Sequence, residues 1–552
     1  MSTLRIQRIE AKAFKAFRDL DFNLDGRHLL AYGGNGAGKS SLYWLLYTFL
    51  QSAAKETPEV EKYFDPDRAE HLLNVHADAA EKSQSHISVT LDDAAHASSH
   101  RYTLSATQHG TREVPDIVKG NLASDFVTYR ILFNFYSFRN SEAINLWPVF
   151  ENEILPFCYT TAERDLDGLW RQLRDNNPFT PGIPGPAKRR YDAFDANAAK
   201  LNNALSQVLQ SISTEALAFY QKNFSTGDLR EVNFGLILRR PVSMYDRKEH
   251  RFDPPIIGFE VQLGGQKLAR PHTFLNEAKL TQLALSIRFG ATLAHLQEAS
   301  IKLLVLDDLL ISLDMSNRMK VVDIILGETF AEHQKIILTH DLGFFNEFRR
   351  RIGTRHTDWS FQKFTGSAEE KIELQEEKTP LQKAEDYLHG HNLDEAAVCL
   401  RKAAEDTAKR LREWIAKEKL PPGEFISLTE NLRAARNKLQ ERIPKRFYKN
   451  ILEGTSAELV NRLVPVGVAD LQADEALQPA DRGKINSKRQ ALRQLLTQTD
   501  WAVMKNIRLI DEVLETTERV LNPAAHGSEA PLYEAEVEKA LELVRQLEQC
   551  LP

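Results

Sequence analysis

Apolar and polar positions alternate at period two over residues 4–9, and a short apolar run over 29–32 ends in glycines, so the chain is predicted to open with two strands. Residues 40–55 are apolar at helical spacing. Ile87-Ser-Val-Thr-Leu91 and His100-Arg-Tyr-Thr-Leu104 read as antiparallel strands. Two helical stretches follow, over 161–174 and 188–222. Between them, Asn176-Asn-Pro-Phe-Thr-Pro-Gly-Ile-Pro-Gly-Pro186 is a segment that no helix or central strand can cross. Leu201, Leu205, Val208 and Ile212 form a helical stripe, and the two stretches read as a helical hairpin or short arm inserted into the domain. Strands return over 232–238 and 257–263. A helix, a buried strand over 301–306, another helix and a strand over 335–338 then close an α/β pattern. Beyond about Thr365 the strand signals stop. From Thr379-Pro380 onward the chain reads as helical, with one stripe at Ala397, Leu400, Ala404, Ala408, Leu411 and Ile415 and another at Val503, Ile507, Ile510, Leu514 and Leu521.

This pattern divides the chain into an N-terminal α/β lobe (1–158), the helical insertion (159–228), a second α/β lobe (229–370) and an all-α C-terminal domain (380–552). With 42% hydrophobic and 27% charged residues, the composition is that of a globular protein. A net charge of −6 excludes a histone-like basic protein or an acidic tail protein but leaves room for a local basic groove. Cys158, Cys399 and Cys550 are too few for a disulfide framework or a Cys-rich zinc module, which points to a reducing setting. The most apolar stretch, 301–313, contains Lys302, Asp307 and Asp308, and residues 1–10 lack the apolar core of a secretory signal. A soluble cytoplasmic protein without a membrane span is expected.

The sharpest chemical signal is Gly33-Gly-Asn-Gly-Ala-Gly-Lys-Ser40, which fits the P-loop pattern G-x-x-x-x-G-K-S at every fixed position and lies between a predicted strand and a predicted helix. Gly33, Asn35, Gly36, Ala37 and Gly38 would let backbone N–H groups approach phosphates at the positive end of the helix. Lys39 would reach the β/γ-phosphates, the Ser40 hydroxyl would hold Mg2+, and Ser41 continues the motif. Ile301-Lys-Leu-Leu-Val-Leu-Asp-Asp308 delivers two carboxylates at the C-terminal end of a strand, where ligands of open α/β sheets bind. Asp307 is the natural partner of Mg2+, and Asp308 stands where a base would polarise an attacking water. Ser312-Leu-Asp314 follows. Ile336-Ile-Leu-Thr-His340 ends a further strand in a histidine that could bond the γ-phosphate.

In this order the P-loop, the Asp-Asp strand, Ser-Leu-Asp and Thr-His resemble the Walker A, Walker B, D-loop and switch of an ABC-type ATPase of the SMC and RecF variety. That resemblance implies an α/β P-loop ATPase head with an inserted helical arm, ATP and Mg2+ as cofactors, and an ATP-dependent dimer; a DNA-repair clamp of the RecF sort, without any nuclease, is one reading of it. It also implies a signature helix before Walker B, and Phe274-Leu-Asn-Glu-Ala-Lys-Leu-Thr-Gln-Leu-Ala-Leu-Ser-Ile-Arg288 occupies that place. Asn276 stands there for the signature serine, and Glu277 and Ala278 stand for the glycines. Asn276 can still present a short polar side chain at a helix start, toward a second subunit's γ-phosphate. Asn134 and Asn140 are the nearest stand-ins for a Q-loop glutamine. Most relatives carry glutamate where Asp308 stands, one methylene longer. Since a misplacement of about 1 Å can cost ~10²-fold in rate, slow turnover is expected.

Within this class, residues 305–318 and 132–141 resemble the ATPase subunit of Septu anti-phage systems, some of which accompany a retron. The resemblance covers residues 1–365, and the helical tail less securely. It implies antiviral defence, even-numbered oligomers, a separately encoded HNH nuclease subunit, and in some systems a retron reverse transcriptase with its DNA–RNA hybrid. The sequence has no HNH constellation and no Toprim-like acidic segment after Walker B, which disfavours the overcoming-lysogenization nucleases. In the tail, Arg519-Val-Leu-Asn-Pro-Ala-Ala-His526 is similar to the Arg-x(4–6)-His pattern of HEPN ribonucleases. In that family the histidine acts on a ribose 2′-OH and the arginine steadies the phosphate. The upstream helix with Arg401 and Glu405 also suits a HEPN-like bundle. The alternative, which we favour, is a helix that ends at Asn522-Pro523 and a turn at His526-Gly527. Lys188-Arg-Arg190, Arg349-Arg-Arg351 with Arg355, and Lys445-Arg-Phe-Tyr-Lys449 are candidate nucleic-acid contacts or ordinary surface charge.

Overall fold

The computed structural model describes residues 3–53, 55–93, 98–128, 144–155, 166–175, 178, 187–225, 232–294, 299–308, 315–417, 420, 426–442, 501–522 and 531–551. The chain forms two compact units, Met1–Glu376 and Glu377–Pro552.

In the first unit, β1 (Leu4–Phe14), β2 (Phe17–Asn23), β4 (His86–Asp93) and β5 (Ser98–Ser105) form an antiparallel sheet in the order β2-β1-β4-β5. A second sheet has the order β13-β12-β3-β11-β10-β6, built from β3 (His28–Tyr32), β6 (Asp125–Thr128), β10 (Leu303–Asp307), β11 (Gln334–Thr339), β12 (Trp359–Gly366) and β13 (Ile372–Glu376). Every pairing in it is parallel except that of the edge strand β13. All residues of β10 and β11 are buried, as expected of parallel strands covered on both faces. The alternation of side chains sorts the core into two layers. Leu29, Ala31, Leu303, Val305, Ile336 and Leu338 pack toward helix α1 (Lys39–Ser52) and the antiparallel sheet. Leu30, Leu304, Leu306 and Ile337 pack on the other face with the remaining helices.

That second layer holds α2 (Leu166–Asp175), α3 (Ala187–Asn223), α4 (Glu277–Ala294), α5 (Met315–Leu326) and α6 (Leu342–Ile352). A small sheet of β7 (Val232–Arg240), β8 (Ile256–Leu263) and β9 (Gln266–Leu268) lies beside α3. The stripe Leu201, Leu205, Val208 and Ile212 lies on α3, whose apolar face from Tyr191 to Tyr220 is buried in the same core as one face of the parallel sheet. A Cβ added at Gly290 of α4 would lie 2.6 Å from the Ala216 Cα, so the two helices cross almost backbone to backbone. Helical periodicity gives α3 an apolar face; the covering layer comes from α4, distant in sequence, and from β7, which follows α3 in the chain. The sequence reading also passes over β2, β6 and β13. The last two are four and five residues long, and a single residue of β13, Ile372, is buried.

Two buried polar devices hold the layers. Gln334, at the start of β11, accepts from the Ile6 N–H at 2.8 Å and donates to the Ile6 carbonyl at 3.1 Å and the Arg27 carbonyl at 2.8 Å. It does so next to the β1–β4 register shift between Ile6 and Arg8, so its amide joins the backbone of β1 to the segment that leads into β3. Arg288 of α4 and Asp125 of β6 form an ion pair, 3% and 1% exposed, and Thr292 also donates to Asp125. The pair fastens the helix to the edge strand.

The second unit packs α7 (Pro380–His389), α8 (Leu393–Ala416), α9 (Leu428–Glu441), α10 (Trp501–Thr516) and α11 (Glu534–Gln549) around the predicted stripe of α8. Thr379 and Ser427 close capping boxes at α7 and α9. Arg436–Asp511 and Arg410–Glu548 tie helices across the bundle. Among the described residues no helix is long and apolar enough to cross a membrane.

Two stability effects are expected. Arg288→Met leaves the Asp125 carboxylate buried without its counter-charge and should cost about 3–5 kcal/mol in urea unfolding, whereas Arg288→Met with Asp125→Leu should recover most of the loss. At the opposite end of the sheet from the P-loop, burial pushes His28 down to about 3 and His333 to about 4, each helped by the nearby Lys335 charge. Burial also lowers Lys335 to about 8. The unfolded chain therefore binds more protons than the folded one between about pH 4 and 6.5. Unfolding free energy should fall as pH drops through that window, by up to about 1.4 kcal/mol per pH unit for each histidine. Equilibrium unfolding of the His28→Phe variant at pH 7 and 5 should show a shallower fall.

Candidate nucleotide-binding site

The site is assembled by strand register. Tyr32 of β3 pairs with Thr339 of β11, and Leu338 of β11 pairs with Asp307 of β10, so three loops leave the sheet at one level. The Gly33 N–H continues the ladder by donating to the Thr339 carbonyl at 3.1 Å. Gly36 and Gly38 have φ of +80° and +103°, which L side chains rarely adopt. At Gly38 a Cβ would also meet Ile372 at 3.0 Å and Phe17 at 3.2 Å, while Gly34 and Gly36 face open space. The loop is therefore packed behind and open in front. Asn35 and Ser40 are exposed, Ala37 is half-buried, and the Ser41 hydroxyl accepts from the Ala16 N–H at 3.2 Å, tying α1 to the β1–β2 hairpin.

Lys39 is 5% exposed, and its Nζ donates to the Gly33 and Gly34 carbonyls at 2.8 and 3.0 Å. It lies 3.9 Å from Asp308 Oδ2. Asp307 is buried at the end of β10. Asp308 adopts φ +50°, a left-handed conformation that aspartate tolerates better than most residues, and its N–H donates to the Leu338 carbonyl at 3.0 Å. Its Oδ1 accepts from the His340 N–H at 2.8 Å and from the His340 imidazole Nδ1 at 2.9 Å, which fixes the ring proton on Nδ1. Lys39, Asp308 and His340 thus form one cluster, with Asp308 between a cation and an imidazole.

Asn276 stands exposed before α4 and accepts from the Lys279 N–H at 2.9 Å, so it caps that helix. Phe274 beside it is 65% exposed. Two residues of the neighbourhood escape the sequence reading. Asp341, next to His340, caps α6 by accepting from the Phe344 N–H at 3.0 Å, and it accepts from Arg318 at 2.5 Å. Against the upward push of burial, the Phe344 N–H and Arg318 hold its carboxyl below the usual range. An aspartate just before a helical stretch is a legible cap; Arg318 carries no local signal. A small pocket beside His340 is lined by Asp308, Arg318 and Asp341 together with Leu306, Phe344 and Phe348.

Residues 312–314, 132–141 and 445–449 lie outside the described residues, as does His526. Arg519 is described. It sits in a π-helical turn, Thr517–Leu521, with its side chain 71% exposed and paired with Glu536. Arg401 bonds Glu405 at 2.9 Å and the Asn522 side chain at 2.8 Å, bracing the end of that turn. In the basic cluster at 349–355, Arg350 pairs with Glu347 and Arg351 with Asp323, Arg349 lies over the Phe361 ring at 4.3 Å, and Arg355 donates to the Leu326 carbonyl. Two of the four charges, those of Arg350 and Arg351, are thus paired within the fold. Lys188 and Arg189 are exposed and Arg190 is half-buried.

The residues suit a Mg2+-bound nucleotide. Mg2+ is usually held by one or two protein oxygens together with substrate phosphates, and Ser40 and Asp307 would supply those oxygens here. Among the described residues no group of three or more His, Cys, Asp or Glu is placed to hold a metal by itself.

No family model matches the chain, and no curated protein matches it. Among solved structures it is similar to the Smc head domain with an extended coiled coil bound to the C-terminal domain of ScpA, derived from Pyrococcus furiosus, with 15% identity, a TM-score of 0.38, and coverage of 70% of this chain and 100% of that one. It is likewise similar to the recombination mediator protein RecF of the RecFOR pathway. The ATP form is 11% identical, with a TM-score of 0.41 over 61% of this chain and 92% of that one. The ATPrS form is 12% identical, with a TM-score of 0.42 over 68% and 99%.

Proposed function

We propose that this chain is an ATP-binding, slowly hydrolysing ATPase of the SMC/RecF-like kind, whose copies close head to head over two nucleotides. The observation that supports it most is the placement of Lys39 3.9 Å from Asp308, on a glycine loop whose outer side is open. Lys39 trades the Gly33 and Gly34 carbonyls for phosphate oxygens, and backbone N–H groups from Gly34 to Ser40 add to the cradle. Ser40 and Asp307 hold Mg2+, which when bound neutralises charge on the phosphates. Asp308 orients and polarises the attacking water, and the His340 N–H and imidazole fix which way its carboxylate points. Asn276 of a second copy closes the open side. Asp308 is shorter than glutamate and already engaged by His340, so turnover is slow and the closed dimer persists as a switch.

The Septu resemblance extends this reading. The ATPase dimer, or a higher even oligomer, scaffolds and controls a separate HNH nuclease subunit in antiviral defence. A retron reverse transcriptase and its DNA–RNA hybrid are further partners to test. The rival reading, a ribonuclease using Arg519 and His526, draws no support from Arg519, whose guanidinium is engaged by Glu536.

Three measurements test the reading. Lys39→Ala should weaken ATP binding about 10²-fold by removing a charge-assisted contact, and Asp308→Asn should retain binding while lowering an already slow turnover by about 10²-fold. Turnover of many per second in the unaltered chain contradicts the slow-switch reading. The purified chain alone, with or without ATP, should cleave neither RNA nor DNA. RNA cleavage that disappears in His526→Ala overturns the scaffold reading and makes the tail the effector.

A further inference from the structure

Gln282 is an amide 4% exposed in the core face of α4. Its Oε1 accepts from Lys279 Nζ at 2.9 Å, and its Nε2 donates to the Asn317 side chain of α5 at 2.8 Å. Lys279 is also the residue whose N–H Asn276 accepts. Next to Asn317 stands Arg318, which donates to Asp341 at 2.5 Å. Asp341 follows His340, whose N–H and ring hold Asp308. One line of polar contacts and adjacent residues thus runs from the exposed start of α4 through α5 to the carboxylate beside Lys39. A buried amide is costly to leave unpaired, so Gln282 and Asn317 hold their two helices at one separation. A shift of the first turn of α4 must break that bond or carry α5 with it.

We propose that Gln282, Asn317, Arg318 and Asp341 are positioning residues that couple the Asn276 end of α4 to the Asp308–His340 pair of the same chain. The coupling rests on the head-to-head reading above. Nucleotide held by one copy meets Asn276 of the other, and the line resets the other copy's own Asp308. Each site then answers to occupancy of its neighbour, and the effect on affinity must be reciprocal. The four residues stand on α4, on α5 and at the start of α6, outside the 33–40 loop, so the line changes turnover and cooperativity and leaves capture of ATP by a single copy alone.

Gln282→Leu combined with Asn317→Leu tests this, because removing both partners leaves neither side chain buried and unpaired. Hydrolysis is followed against ATP concentration, and ATP binding is measured at dilutions where the chain is monomeric. The unaltered chain should hydrolyse with a Hill coefficient above about 1. In the double variant it should fall to about 1 with roughly tenfold lower kcat, while monomer affinity stays within about twofold. Arg318→Met gives the same readouts from a less buried position and covers the case in which the core variant does not fold. A Hill coefficient of about 1 in the unaltered chain, or unchanged kcat and cooperativity in both variants, overturns the coupling. An unaltered chain that binds no ATP shows instead that the nucleotide reading itself has failed, and the coupling falls with it.

Discussion

Tyr32, Thr339 and the Leu338–Asp307 pair stand at the same level of the parallel sheet, so β3, β11 and β10 release their loops side by side. A slip of one residue in either pairing would turn the inward side chains of that strand to the opposite layer. The two-layer sorting of Leu29, Leu30, Leu304 and Val305 forbids such a slip. The same register brings Lys39, Asp308 and His340 together from positions about 300 residues apart. Burial on both faces of the sheet thus fixes the chemistry at its end.

The cluster at that end is preorganised more firmly for the carboxylate than for the lysine. Asp308 is held by two donors from His340 and by its own left-handed backbone. Lys39 is held by two carbonyls of its own loop, bonds that a phosphate group can replace on equal or better terms. The anionic partner is anchored and the cation is exchangeable, as the proposed capture of a nucleotide by this loop requires.

The parts of this arrangement that were legible in the sequence are those written in short contiguous patterns. Residues 33–40, the paired aspartates after an apolar run, Thr339-His340, and Asn276 ahead of a helical stretch all stand in one place in the chain. The stripe of α3 is legible too, but an apolar stripe names a face without naming its cover, and α4 and β7 supply that cover. Strand β6 has four residues, too few for alternation to be seen, and it owes its place partly to Arg288, which is more than 160 residues away. The basic run at 349–351 read as a candidate surface because Asp323, 28 residues distant, could not be foreseen as a partner of Arg351. Arg519 illustrates the same limit, since its carboxylate comes from another helix.

Gln334 holds the outer antiparallel sheet to the parallel one through three backbone contacts, while Ala16, at the tip of the first hairpin, bonds Ser41 at the start of α1. The outer sheet is therefore bonded both to the frame and to α1, and Ile6, Phe17 and Leu42 share one core. Because α1 begins directly after the glycine loop, a fluorophore on the exposed side of β2 would report on that helix from outside the pocket, without competing for it.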